Sequence, residues 1–240
     1  SLLVNLGNIN GSLQQVRIPG MVSAGEMVET FFRAPELLAG ELKNASTGEM
    51  LRNIYLSGRR LVMSMIAGQA DPYSVSLYIS SLADAICRRA VELYITEAGD
   101  PPCRFVFLQT GSAGRREQTL STDQDNAIVY DNVEAEKKES AGKYFLMMGK
   151  RVNELLSEAG YRYCKGDKMA GNTLWCQPLE KWKEYFSGWI KNPGPSELLE
   201  MSIFFDFRMC FGNTELADKL REYVSNDLKA NDIYFHHMAA

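Results

Sequence analysis

The chain has 240 residues, of which 45% are hydrophobic and 23% charged, with 26 Lys+Arg against 30 Asp+Glu and a formal net charge of −4. That length supports a large buried core, as one sizeable domain or two modest ones, and the composition is that of an ordinary globular protein. The acidic balance supplies no basic face for a polyanion, which argues against nucleic acid as a partner and against template-directed polymerisation. No apolar run approaches the ~18 residues needed to cross a bilayer, so no membrane partner is expected.

Residues 1–23 contain three glycines and an Ile18-Pro19-Gly20 turn, and are expected to form a loop or linker. The opening SLLVNLGNINGSLQQ has neither the basic start nor the long apolar core of a secretory signal. Residues 24–100 read as a helical segment. A first helical pattern runs from Ala24 to about Leu42, interrupted at Pro35. Thr47 opens a second through Ile66, with Leu51, Ile54, Tyr55, Leu61 and Met65 on apolar spacings. Asp71-Pro72 introduces a third from Tyr73 to about Ala98, stopped by Gly99-Asp100-Pro101-Pro102.

Residues 101–177 read as an α/β core. Arg104–Leu108 (RFVFL) is β-prone, with a strand expected over 104–110, followed by the Gly111-Ser112 turn and a short helix beginning near Ala113 or Gly114. A second strand is expected over 125–131. A helix from about Glu136 to Ala159 carries Tyr144, Met147, Met148, Val152, Leu155 and Leu156 on one broad face and stops at Gly160. Tyr161–Cys164 alternates weakly as a further strand, with Asp167 at or just past its end.

Residues 178–240 read as helical, with helices expected at Leu179–Ile190, Ser196 to about Arg208, and Thr214–Val224. Asn231–Ala240 looks like the start of another helix with no stop signal, so the natural chain is expected to continue. Trp175, Trp182, Tyr185, Phe186 and Trp189 lie at helical spacing, which favours core packing over a base-stacking surface. The five cysteines (Cys87, Cys103, Cys164, Cys176, Cys210) form no C-x-x-C pair, and their odd number suits reduced thiols in a cytoplasmic protein. Neither they nor the adjacent His236 and His237 make a zinc ligand set.

The chemistry is concentrated in GSAGRREQTLSTDQDNAIVY, residues 111–130. On an extended strand Asp123 and Asp125 leave the same face about 6.6 Å apart, close enough to share a divalent cation. Amides freed at the Gly111-Ser112 turn favour an anion, most often a phosphate. Two carboxylates beside such a turn suit Mg²⁺ (or Mn²⁺) and a nucleoside triphosphate, and hence phosphoryl or nucleotidyl transfer. Arg115 presents a planar donor fork for a triphosphate, with Glu117 in place to orient it by a salt bridge, and Arg116 is the second cation at the turn. Gln124 and Asn126 face away from the aspartates, towards neighbouring backbone. Asp206, between Phe205 and Phe207 in an apolar helix, needs Arg208, a backbone cap or a ligand as partner. Lys168 and Asn172 are candidates for the cleft between core and C-terminal helices.

Gly111-Ser112, ten intervening residues and Asp123-Gln124-Asp125 resemble the signature of the DNA polymerase beta nucleotidyltransferase superfamily. More narrowly, G-S-x-G-R-x-E followed by T-D-Q-D-N is similar to a bacterial nucleotidyltransferase family related to PII uridylyltransferase. Lys168–Cys176 (KMAGNTLWC), Pro178–Trp182 (PLEKW) and Ser202–Arg208 (SIFFDFR) resemble that family's later blocks, so the likeness spans roughly residues 50–240. Gln124 stands where the broader superfamily has an apolar residue, and the narrower family shares it. The resemblance implies an α+β fold with N-terminal helices, a small mixed sheet and a C-terminal helical bundle that binds substrate. It implies nucleotide binding at Gly111, Ser112, Arg115 and Arg116, metal on Asp123 and Asp125, and a third carboxylate from a later strand. Asp167 is the best candidate for that carboxylate by order along the chain and Asp206 the runner-up, with Arg208, Lys168 and Asn172 on the substrate side. It also implies a hydroxyl acceptor, such as a protein tyrosine, in signal transduction, and attached CBS or cyclic-nucleotide-binding regulatory domains. A catalytically inactive nucleotide sensor is the alternative expectation.

Overall fold

The structure, a computed structural model, describes residues 40–231. The expected loop at 1–23, the helix expected to start at Ala24 up to residue 39, and the helix expected beyond Asn231 lie outside the described residues.

Local signals start the first two long helices. Thr47 caps α1 (Gly48–Ala67), its hydroxyl accepting from the Met50 amide at 3.2 Å. Asp71 caps α2 (Pro72–Ala98) through the Ser74 amide at 2.9 Å, and Pro72 occupies the first turn, where its missing N–H costs nothing. Next come β1 (Phe105–Gln109), the single-turn α3 (Gly111–Gly114), β2 (Asp123–Gln124) and β3 (Asn126–Tyr130). α4 (Lys138–Ala159) follows a 3₁₀ turn at Ala135–Lys137 and ends at Gly160. The chain continues through β4 (Arg162–Tyr163), β5 (Cys176–Pro178), α5 (Leu179–Lys191), α6 (Pro195–Phe204), β6 (Arg208–Gly212) and α7 (Thr214–Ala230).

Four strands form a mixed sheet in the order β5-β3-β1-β6, antiparallel except for the β3–β5 pair. β2 and β4 pair in parallel as a separate ribbon. The fold is therefore α+β, with a small mixed sheet between helices, as expected.

The period of two along the central strands divides the core. Phe105 and Phe107 of β1, with Ile128 and Tyr130 of β3, pack against α1, α2 and α4. Val106 and Leu108, with Ala127 and Val129, pack against α5, α6 and α7. The tryptophans lie in this second core, where Trp175 stacks on Phe204 with ring centroids 4.3 Å apart and the Trp182 indole donates to the Ile128 carbonyl at 3.0 Å. The expectation of core packing for this cluster holds.

Several elements differ from expectation: the short helix expected from Ala113 or Gly114 is the turn Gly111–Gly114 itself, and β2 (Asp123–Gln124) and β5 (Cys176–Pro178) are short strands where none was expected. The helix expected through Arg208 ends at Phe204, and Arg208 opens β6, which pairs with β1 around an irregularity between Phe107 and Leu108. An apolar run such as SIFFDFRMCF carries no periodicity that separates helix from strand. The edge of β1 not taken by β3 decides it, because its backbone donors and acceptors need partners. Asp206 accordingly sits in the bend between α6 and β6 and not within a helix.

Candidate active site

β1 delivers Gln109 and Thr110 to the turn, and the Thr110 amide donates to the Asp125 carbonyl at 3.0 Å. Gly111 takes φ +55°, which glycine adopts at little cost. A Cβ on Gly111 would stand 3.3 Å from Asp125 Oδ2, so the glycine turn lies directly against this carboxylate. α3 is held from two further sides. A Cβ on Gly114 would fall 1.5 Å from the Asp206 carbonyl oxygen, which makes glycine obligatory where the α6–β6 bend crosses α3. On the other side the Arg208 guanidinium donates to the Ala113 carbonyl at 3.0 Å.

That guanidinium also makes a two-pronged pair with Asp84 on α2, at 2.6 and 2.9 Å, both side chains being largely buried. Arg208, expected on the substrate side, thus braces the turn from beneath and links it to the N-terminal helices. Asp84 was not singled out by sequence. Its signal was a carboxylate in the otherwise apolar stretch Leu82-Ala83-Asp84-Ala85-Ile86.

Arg115 and Glu117 form the expected salt bridge at 2.9 Å, and Arg115 bonds Asp206 at 3.0 Å with its other prong. Asp206, expected to be buried, is half exposed, and its partner is Arg115 and not Arg208. Arg116 is exposed, takes φ +58°, and makes no ion pair among the described residues. Ser112, half-buried, heads α3, and its carbonyl accepts from the Glu117 amide at 2.9 Å.

Asp123 and Asp125 straddle the switch from β2 to β3, and side-chain alternation persists through it. Gln124 and Asn126 both turn to α4, where Asn153, 3% exposed, bonds them at 2.9 and 3.0 Å. Asn153 also accepts from the Gly171 amide at 2.9 Å, Asn126 accepts from the Ala170 amide at 2.9 Å, and Gln124 donates to the carbonyls of Asn153 and Tyr161. This buried, hydrogen-bonded node fixes the strand that carries the aspartates. Asn153 was missed in the sequence, although an amide within the apolar face Val152-Asn153-Leu155-Leu156 is its visible mark.

Burial is the main cause that raises the Asp125 carboxyl above its ordinary value, and the nearby Asp123 charge adds to it against a hydrogen bond with Cys164. Cys164 is a second neighbour that sequence reasoning did not select. One oxygen of Asp123, Oδ1, is buried without a hydrogen-bond partner, and Arg162 Nη2 approaches it at 3.0 Å in an ion pair too poorly aligned to count as a hydrogen bond. Two carboxylates of hard oxygen donors are the ligand type that suits Mg²⁺ or Mn²⁺.

Asp167 is exposed in the turn after β4 at φ +53°, and its carboxylate accepts from Asn172 Nδ2 at 2.8 Å. Asn172 also caps the 3₁₀ turn Thr173–Trp175. Lys168 pairs with Glu200 of α6 and lies 4.7 Å over the Trp175 ring, and its carbonyl accepts from the Asn126 amide. The structure therefore brings together Gly111, Ser112, Arg115, Asp123, Asp125, Asp206 and Arg208, and places Asp167 and Asn172 in a neighbouring loop. Among the described residues, no group of three His, Cys, Asp or Glu side chains is arranged to hold a metal ion.

The family model described as "Putative nucleotidyltransferase DUF294" matches residues 57–196, more than half of the chain. The chain belongs to this family. The match contains the glycine turn, both aspartates and the 164–172 loop, and stops short of Asp206 and Arg208. Membership points to nucleotidyl transfer and to a nucleotide as ligand. No curated protein matches the chain. Among the described residues no helix is long and apolar enough to cross a membrane.

Proposed function

We propose that the chain is a Mg²⁺-dependent nucleotidyltransferase that moves a nucleoside monophosphate from a nucleoside triphosphate to a hydroxyl acceptor. The observation that carries this reading is the seating of the Gly111 turn on Asp125, with Asp123 close enough to raise that carboxyl. A phosphate on the amides of Gly111 and Ser112 would have both carboxylates next to it. A divalent cation held by Asp123 and Asp125 would neutralise phosphate charge and align the attacking and leaving oxygens. The residues of the chain would orient the substrate: the first amides of α3 lack intrahelical acceptors and are available to a phosphate, and Arg116, which makes no ion pair among the described residues, lies beside them. Arg115, tied to Glu117 and Asp206, holds the turn to the α6–β6 bend. The acceptor oxygen bonds to the α-phosphorus as the bond to the β-phosphate's bridging oxygen breaks. Pyrophosphate leaves, and the hydroxyl proton passes to a carboxylate of the site or to water. The resemblance to PII uridylyltransferase supports a protein hydroxyl, such as a tyrosine, as acceptor in cytoplasmic signal transduction, with regulatory domains attached.

A second reading, a nucleotide sensor without catalysis, is favoured by one observation. Asp167 is held by Asn172 and Asp206 by Arg115, so neither candidate for a third carboxylate is free at Asp123 and Asp125. A screen of the four labelled nucleoside triphosphates against cell lysate separates the two. Metal-dependent label transfer that Asp125→Ala abolishes is the expected result. Nucleotide binding without label transfer supports the sensor, and loss of neither binding nor transfer in Asp125→Ala refutes both.

A further inference from the structure

The loop from Arg115 to Thr122 joins the glycine turn to Asp123; Leu120 packs against Val62, Met65 and Val75, and Gln118 is its one buried residue. Gln118 is 5% exposed, although its neighbours Glu117 and Thr119 are exposed. Its side chain lines a cavity of about 10 Å³ together with Gln109, Asp123, Gln124 and Asn126, with Ala83, Leu156 and Tyr161 completing the wall. Three of these polar side chains bring a buried atom with no hydrogen-bond partner among the described residues, Gln118 Oε1, Asp123 Oδ1 and Asn126 Nδ2, of which Asp123 Oδ1 has only the Arg162 ion pair. The orientation of the Asn126 amide is settled by its other end, which accepts from Asn153 Nδ2 at 3.0 Å and the Ala170 amide at 2.9 Å, so Nδ2 is the end left over.

A buried donor or acceptor without a hydrogen bond keeps its full desolvation penalty, so three around one cavity call for an occupant that bonds them. The occupant has to match one donor and two acceptors. A cation meets the Asn126 N–H dipole head-on, and an anion meets two acceptor oxygens, one of them a carboxylate's. A single water accepts from Asn126 and donates one hydrogen each to Gln118 and Asp123. Three hydrogen bonds are typical of a buried water, and the cavity has about the minimum volume to hold one.

We propose that this cavity is a built site for one ordered water, through which Gln118 positions the carboxylate of Asp123. The water holds Oδ1 from one side while Arg162 approaches it at 3.0 Å, so the carboxylate keeps a single orientation and turns its remaining oxygen to a cation. Gln118 is thus a positioning residue, and its bond ties the 115–122 loop down to the core. The effect on a cation rests on the reading of Asp123 as a metal ligand; the water site itself does not.

The test has two arms. A high-resolution crystal structure of the wild-type chain is expected to show one water within hydrogen-bond distance of Gln118, Asp123 and Asn126. A cavity without density, or one filled by a turned side chain, overturns the proposal. In Gln118→Met, which keeps the side-chain length and removes the amide, the Asp123 carboxylate is expected to rotate, and the Mg²⁺ concentration that half-saturates nucleotide binding to rise roughly tenfold. A merely structural role for Gln118 would lower the melting temperature and leave that Mg²⁺ dependence unchanged, which refutes the positioning role. Should the wild-type chain bind no nucleotide at all, the nucleotidyltransferase reading fails, while the density still decides the water site.

Discussion

Replacing Asn153 by leucine tests whether the buried amide node holds the aspartate strand in place. Leucine has nearly the same shape, so the perturbation is chemical and not steric. It leaves Gln124 Oε1 and the Gly171 amide without the partners they have at 2.9 Å, while Asn126 Oδ1 retains the Ala170 amide. Two orphaned groups at about 1–3 kcal/mol each, partly offset by burying an apolar side chain in place of an amide, give a net loss of about 3 kcal/mol. For a chain of this size that lowers the melting temperature by about 6–12 °C, readable by urea or thermal denaturation followed by circular dichroism. Nucleotide binding in the presence of Mg²⁺ should weaken as well, because Gln124 at the end of β2 and Asn126 at the start of β3 flank Asp125. A stability change below about 0.5 kcal/mol, the range of ordinary surface substitutions, would refute the argument.

Gly114→Ala places a Cβ 1.5 Å from the Asp206 carbonyl oxygen and 3.3 Å from that of Gln109, both backbone atoms. It should cost about 3 kcal/mol or more by denaturant titration, whereas Gly188→Ala, with nothing within 4 Å on α5, should stabilise by about 0.5–1 kcal/mol. Asp84→Ala strands the Arg208 guanidinium and should cost about 3–5 kcal/mol, and the double variant Asp84→Leu/Arg208→Met should be less destabilised than Asp84→Ala in a double-mutant cycle. Asp125, raised chiefly by burial, is ionised at a cost in the native state. The stability this group contributes is complete below its unfolded value and is lost as pH rises through its folded value. Metal-free Asp125→Asn should therefore be more stable than wild type at pH 7 by thermal melting, with the gap closing as pH falls. Mg²⁺ binding, which needs the carboxylate, should fade on acidification earlier than at an ordinary aspartate, as followed by calorimetry.

Much of the architecture was legible because its determinants are local. Thr47 and Asp71-Pro72 announce α1 and α2, Gly160 stops α4, and the alternation through Asp123-Gln124-Asp125-Asn126 survives the break between β2 and β3 as read from the chain. The tryptophans at helical spacing pack as a core for the same reason. β6 was misread because an apolar run carries no period of its own, and only the edge of β1 made it a strand.

The sequence by itself determined the glycine turn, the two aspartates and their spacing, since these depend on backbone conformation and side-chain alternation within 20 residues. Tertiary structure alone decided who pairs with whom. Arg115 finds Asp206 across 91 positions and Arg208 finds Asp84 across 124, although Arg208 stands two residues from Asp206. The bend after α6 sends Asp206 over α3 towards Arg115 and, as β6 begins, leaves Arg208 beneath the turn beside α2. A buried or bridging charge takes the opposite charge that packing brings within reach, and sequence distance does not enter that choice.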